Sequence, residues 1–154
     1  MLTAAAERVA DTAFAQWAMS SPWAYPAANL IHLLGLVLLL GGIGIVDLRI
    51  AGFFHALPLD PLIRALTPFA ISGLLLMVVS GPVLFAADAT ALARSATFGW
   101  KLALILVALA NALSFRWLRR SNRGPPTTLE RMLAIISLLL WLNVAALGRM
   151  IAYN

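Results

Sequence analysis

The sequence predicts an all-α integral membrane protein: a bundle of four transmembrane helices preceded by an N-terminal amphipathic helix lying in the membrane interface. Two observations carry this expectation. Of the 154 residues, 62% are hydrophobic and 11% charged, whereas a soluble domain carries about 25% charged residues. So little charge cannot cover a water-facing surface, but it suits a surface that faces lipid. The apolar residues also gather into four runs separated by short polar stretches, each close to the roughly 20 residues a helix needs to cross the hydrocarbon layer. The chain divides into an interfacial segment, 1–22, and one membrane domain, 23–154.

From Met1 to Met19, Val9, Phe14 and Trp17 fall roughly on one side, with Glu7, Arg8 and Asp11 among the polar residues. That pattern is expected to lie along the interface. The first span, 26–54, opens after Pro22, Trp23, Tyr25 and Pro26 and is free of formal charge until Asp47. The second, 66–87, runs between Arg64 and Asp88, with His55–Arg64 expected as a polar turn. The third, 98–118, has 14 uncharged residues between Lys101 and Arg116, short enough that both cations must snorkel outward. Ala89–Thr97 is expected to connect these two spans. The fourth, 132–152, follows the breaker Ser121-Asn122-Arg123-Gly124-Pro125-Pro126, with Thr128 as the expected N-cap and Glu130 in the first turn.

Cation placement sets the expected orientation. Arg49, Arg64, Arg116, Arg119, Arg120, Arg123 and Arg131 flank the first and third connections; Arg8, Arg94, Lys101 and Arg149 flank the other side. The positive-inside rule then puts the hairpin turns in the cytoplasm and the termini in the periplasm of a bacterial inner membrane. Trp17, Trp23, Tyr25, Trp100 and Tyr153 would form an outer aromatic belt, with Trp117 at the inner face. The net charge of +5 is therefore topological, and no nucleic-acid partner is expected.

Cysteine is absent, which excludes disulfides, thiolate metal sites, thioether-linked haem and cysteine nucleophiles. Polar residues inside spans are costly and point to function or to specific packing. Asn29, His32, Asp47, Asn111 and Asn143 qualify; Ser72, Ser80, Ser114 and Ser137 read as packing residues that return their hydroxyls to their own helices. His32 lies about 9 Å inside the start of its span. It could bond Asn143 or a backbone carbonyl, ligate haem b or another metal, or relay a proton. Lys101 and Arg149, near the same membrane face, could pair with haem propionates or simply snorkel. Gly35, one turn along, would leave space beside the ring. His55 is about 34 Å away along a continuous helix and cannot share a metal with His32. A sixth haem ligand would have to be Met77, another subunit or water. Asp47 is expected to satisfy itself locally, by a hydrogen bond or an ion pair with Arg116.

His32-x-x-Gly35, Gly41-Gly42 and Asp47-Leu48-Arg49, with Gly99-Trp100-Lys101-Leu102 and Asn111-Ala112-Leu113, resemble a family of small bacterial four-helix inner-membrane proteins of unknown function. The likeness covers most of the chain after Trp23. More distantly, the His-x-x-Gly-x6-Gly pattern is similar to the first span of membrane protoporphyrinogen oxidases and of copper-resistance membrane proteins. That similarity implies a haem b or copper role for His32. Those proteins often carry a second histidine near the end of the third span, where this chain has Phe115-Arg116.

The sequence thus leads to a haem b-binding or redox-associated membrane protein, with His32 as metal ligand, serving electron transfer or anchoring a periplasmic redox partner. The rival expectation is a cofactor-free accessory subunit packed against other membrane subunits.

Overall fold

The computed structural model describes residues 2–121 and 124–151. Arg123 of the basic cluster, Tyr153 of the aromatic belt and Ala152, the expected last residue of the fourth span, lie outside them. The fold is all-helical among the described residues: α1 (Leu2–Ala10), α2 (Ala13–Ser20), α3 (Ala24–Ala51), α4 (Leu59–Ala87), α5 (Ala89–Arg94), α6 (Ala96–Ser121) and α7 (Thr128–Ile151). Four of these, α3, α4, α6 and α7, are long and apolar enough to cross a membrane. The protein is a multi-pass membrane bundle.

Several boundaries differ from expectation for identifiable reasons. The second span begins at Leu59, well before residue 66, because Pro58 stands as N-cap and Pro61 falls in the first turn, where a missing N–H costs nothing. The stretch expected to connect the second and third spans contains α5. The N-terminal segment is two helices, broken where Thr12 caps α2 by accepting from the Ala15 N–H at 3.2 Å. Its small residues turn inward: Ala15 and Ala18 pack with Val9 against Val83, Ala86 and Ala87 of α4. Phe14 and Trp17 pair outward at 5.8 Å. The segment therefore caps the end of the bundle that carries the termini; the opposite end carries the two hairpin turns.

Within the bundle α3 and α7 are central, with α4 packed on α3 and α6 on α7. Among the described residues, α4 and α6 share no extended interface. The α3–α4 seam is the tightest. A Cβ on Gly73 would lie 2.5 Å from the Gly35 carbonyl oxygen and from the Leu39 nitrogen, and a Cβ on Gly42 would lie 2.9 Å from the Leu66 oxygen. Backbone touches backbone, as small residues allow between membrane helices. Leu39, Ala70, Ala108, Trp141 and Val144 form the main core, while Leu30, Val37, Val79, Leu106 and Leu113 face outward to lipid. Trp17, Trp23, Tyr25 and Trp100 are exposed at the termini end and Trp117 near the other, as an aromatic belt requires.

The hairpin end is closed by two arginines. Arg49 donates to the carbonyls of Leu57 (2.7 Å) and His55 (3.3 Å), tying the α3–α4 turn. Gly52, at φ 113°, ends α3 in the left-handed region, a conformation that glycine adopts without a Cβ penalty. Arg119 of α6 pairs with Asp60 of α4 at 3.0 Å and with Glu130 of α7 at 3.7 Å, and donates to the Gly124 carbonyl at 2.8 Å. The cap of α7 is Thr127, not the expected Thr128. Glu130 Oε2 accepts from the Thr127 N–H at 2.7 Å, and Thr127 Oγ1 accepts from the Glu130 N–H at 3.2 Å, a reciprocal capping box.

The seam predicts unequal costs for two glycine substitutions. Gly73→Val is expected to destabilise by at least about 1–3 kcal/mol, the usual cost of overpacking, lowering the thermal midpoint in detergent. Gly41→Ala, where a Cβ meets nothing within 4 Å, should leave the midpoint unchanged or raise it. Equal midpoints for the two variants would remove the seam as the element that holds α3 to α4.

Candidate functional site

His32 is half-buried on α3, facing α4. Its Nδ1 lies 2.9 Å from Ser80 Oγ, and its Cε1 lies 3.9 Å from where a Cβ on Gly81 would stand. The Ser80 hydroxyl donates to the Leu76 carbonyl at 2.6 Å, so its one proton is committed and Oγ receives the ring N–H. In that arrangement Nδ1 carries the ring proton. Nε2 keeps its lone pair and makes no hydrogen bond among the described residues. A metal-binding imidazole is commonly set in this way, with one nitrogen fixed by a hydrogen bond and the other free to coordinate.

The geometry follows from helix direction. Side chains lean toward the N-terminus of their own helix. The antiparallel α3 and α4 therefore tilt His32 toward the termini end and Ser80 toward the hairpin end, and the two meet. The partners expected from sequence are not used: Asn143 donates to the Leu139 carbonyl of its own helix at 2.8 Å. Ser80, read from sequence as a packing residue, is the partner. A histidine and a serine on different spans give no sequence signal until the register of the two helices is known.

Lys101 on α6 comes close enough for its charge to act on His32, and its Nζ lies 3.3 Å from where a Cβ on Gly148 would stand. Gly148 lets α7 receive the lysine stem, and Arg149 is exposed one residue further on. Lys101 thus lies against the end of α7 that carries Arg149. His55 is exposed in the α3–α4 turn, far from this site.

Two expectations about the surroundings are corrected. Gly35 leaves no open space beside the ring, because a Cβ there would lie 2.7 Å from the Gly73 oxygen and 2.8 Å from Met77 Cγ. Met77 is thereby engaged in the seam, on the same helix as Ser80. Asp47 is buried but makes no ion pair with Arg116 among the described residues. Arg116 is exposed, and Asn111 gives its amide to the Leu133 carbonyl at 3.1 Å. Among the described residues no three histidine, cysteine or carboxylate side chains gather as a metal-binding group.

Compared with known proteins, the chain matches no family model, no curated protein and no solved structure.

The hydroxyl of Ser80 is the control on the ring. Ser80→Ala should remove the Nδ1 partner at a stability cost of about 0.6 kcal/mol, the average for an interhelical hydrogen bond in membranes. Nitrogen NMR of labelled histidine should then show His32 losing its single fixed tautomer while His55 is unchanged. An unaltered His32 spectrum would mean that the bond does not set the tautomer.

Proposed function

We propose that this protein is a haem b-binding, redox-associated protein of a bacterial inner membrane, with His32 as the axial ligand. The observation that carries the reading is the His32–Ser80 bond, which with Ser80 donating to Leu76 leaves Nε2 a lone pair and no hydrogen bond among the described residues. The donor set suits the group: one neutral imidazole nitrogen for iron, and the Lys101 cation nearby for a propionate, with Arg149 beside it. A bound haem b would supply reversible one-electron transfer between ferric and ferrous iron. The chain's own residues hold the imidazole, fix its tautomer and present positive charge at the same membrane face. With the termini in the periplasm, that face is the periplasmic one, where a soluble redox partner would exchange electrons. The resemblance of the His32–Gly42 pattern to membrane protoporphyrinogen oxidases and copper-resistance proteins supports the same reading.

One observation favours a second reading, a cofactor-free accessory subunit of a larger membrane complex. The notch at Gly35 is filled by Met77 and by the backbone of Gly73, so no planar group enters between α3 and α4, and Nε2 must be approached from another side.

Visible absorption separates the two. Protein purified in mild detergent should show a Soret band that sharpens and shifts on reduction. His32→Ala should abolish it and His55→Ala should leave it intact. A colourless preparation from intact membranes would favour the accessory subunit, and full retention of the band in His32→Ala would remove the histidine as ligand.

Orientation has its own test. A periplasm-dependent reporter fused after Asn154 should be active, and one inserted at Asn122 should be active only if it is a cytoplasmic type. The reverse pattern would invert the topology and place the His32 end in the cytoplasm.

A further inference from the structure

A second polar cluster lies inside the bundle at the hairpin half, apart from His32. Asp47 of α3 and Ser137 and Trp141 of α7 are 5%, 4% and 3% exposed. Among the described residues, Asp47 Oδ2, Ser137 Oγ and Trp141 Nε1 have no hydrogen-bond partner. Ser137 of α7 lies within reach of the Asp47 carboxyl across the two helices, and among the described residues no hydrogen bond of good geometry joins them. Three such atoms together are costly in hydrocarbon, where each unsatisfied group has no water to turn to. Native interiors resolve this with an ordered water.

Helix direction tilts these side chains toward one another, as it does His32 and Ser80. Ser137 and Trp141 are four residues apart and share a face of α7. Trp141 leans toward the N-terminus of α7, at the hairpin end, and Asp47 leans toward the N-terminus of α3, at the other end. The antiparallel pair therefore tilts indole and carboxyl toward each other, with Ser137 beside them. Gly44, one turn from Asp47 on the side of Trp141, leaves room: a Cβ there would find nothing nearer than Leu138 Cδ2 at 3.9 Å.

We propose that Asp47, Ser137 and Trp141 form a hydrated proton-binding site, in which one internal water accepts from the Trp141 indole and donates to the Asp47 carboxyl. The chemistry of the set selects water over a metal cation. The indole N–H is a donor only, the serine is donor and acceptor, and the carboxyl supplies the acceptor. A cation would face the positive end of the indole N–H bond, whereas water satisfies donors and acceptor together. The charged neighbours leave the site to itself. Arg49 on α3 is bonded to the turn carbonyls, and Glu130 on α7 is held by Thr127. Arg64 on α4, Arg116 on α6 and Arg131 on α7 are exposed. Asn111, the buried polar residue of α6, is neutral.

Infrared difference spectroscopy on the purified full-length protein in lipid nanodiscs tests this. A carboxylic-acid carbonyl band should appear reversibly on acidification, shift in heavy water and vanish in Asp47→Asn. Ser137→Ala and Trp141→Phe should each move that band to higher frequency by weakening its hydrogen bonding, in variants whose helical content by circular dichroism matches the parent's. The Trp141 indole N–H should exchange with heavy water in the folded protein. The proposal is overturned if no titrating band depends on Asp47, or if the band ignores both neighbours. It is also overturned if the indole N–H stays unexchanged, which means a dry site, or if sodium at constant pH abolishes the band, which means a cation site.

Discussion

The contact between the α3 and α4 backbones is the constraint on which the rest depends. Inside a bilayer, apolar side chains gain nothing by leaving lipid for protein, so helices associate through close packing and interhelical hydrogen bonds. Gly35, Gly42 and Gly73 remove the side chains that would hold α3 and α4 apart. Their positions fix one register, with Gly35 level with Gly73 and Gly42 level with the turn from Leu66 to Ala70. That register brings the imidazole of His32 to the hydroxyl of Ser80. A shift of one residue would rotate the serine off the seam and break the bond. The polar site is therefore a consequence of three missing Cβ groups.

The two ends of the bundle are held by different physics. At the hairpin end, Arg49 and Arg119 join turns and helix ends through charge-assisted bonds to carbonyls and carboxylates, which work in the polar headgroup region. The termini end is closed by apolar packing. There α1, α2 and α5 close the bundle through alanine packing, and Phe85 of α4 stacks on Phe98 of α6 at 5.6 Å. That stack ties two helices that otherwise share no extended interface. The third span, whose two flanking cations leave it the shortest uncharged core, is thus anchored at one end by Arg119 and at the other by Lys101 lying over Gly148.

Much of this was legible in the sequence, because hydropathy and the bilayer thickness dictate where helices must be. The four spans, the glycine face of α3 and the isolation of His32 from His55 all follow from one-dimensional patterns. The early start of α4 is not legible there, because the prolines and Asp60 resemble a turn until Pro58 and Pro61 are placed at the head of a helix. The partners of the polar residues were also hidden. Three of the four serines do return their hydroxyls to their own helices, as expected. Ser80 nevertheless accepts from another helix as well, and Ser137 makes no such bond. Pairing across helices depends on register and rotation, and a pattern along one chain segment contains neither.

Both polar clusters begin on α3, yet they are physically separate. His32 and Asp47 are fifteen residues apart, about 22 Å along the helix. Every residue of α3 between them is apolar or glycine, and Leu39, Leu40 and Ile43 pack there into the main core. On α7 Val144 packs into the same core, while Asn143 is bonded to its own helix. Among the described residues, that layer of α3 and α7 holds no ionisable side chain. His32 lies toward the end carrying Lys101 and Arg149, and Asp47 toward the end carrying the arginine-tied turns. The apolar middle of α3 is thus both the structural core and the layer that separates the two clusters, and the same leucines perform both tasks.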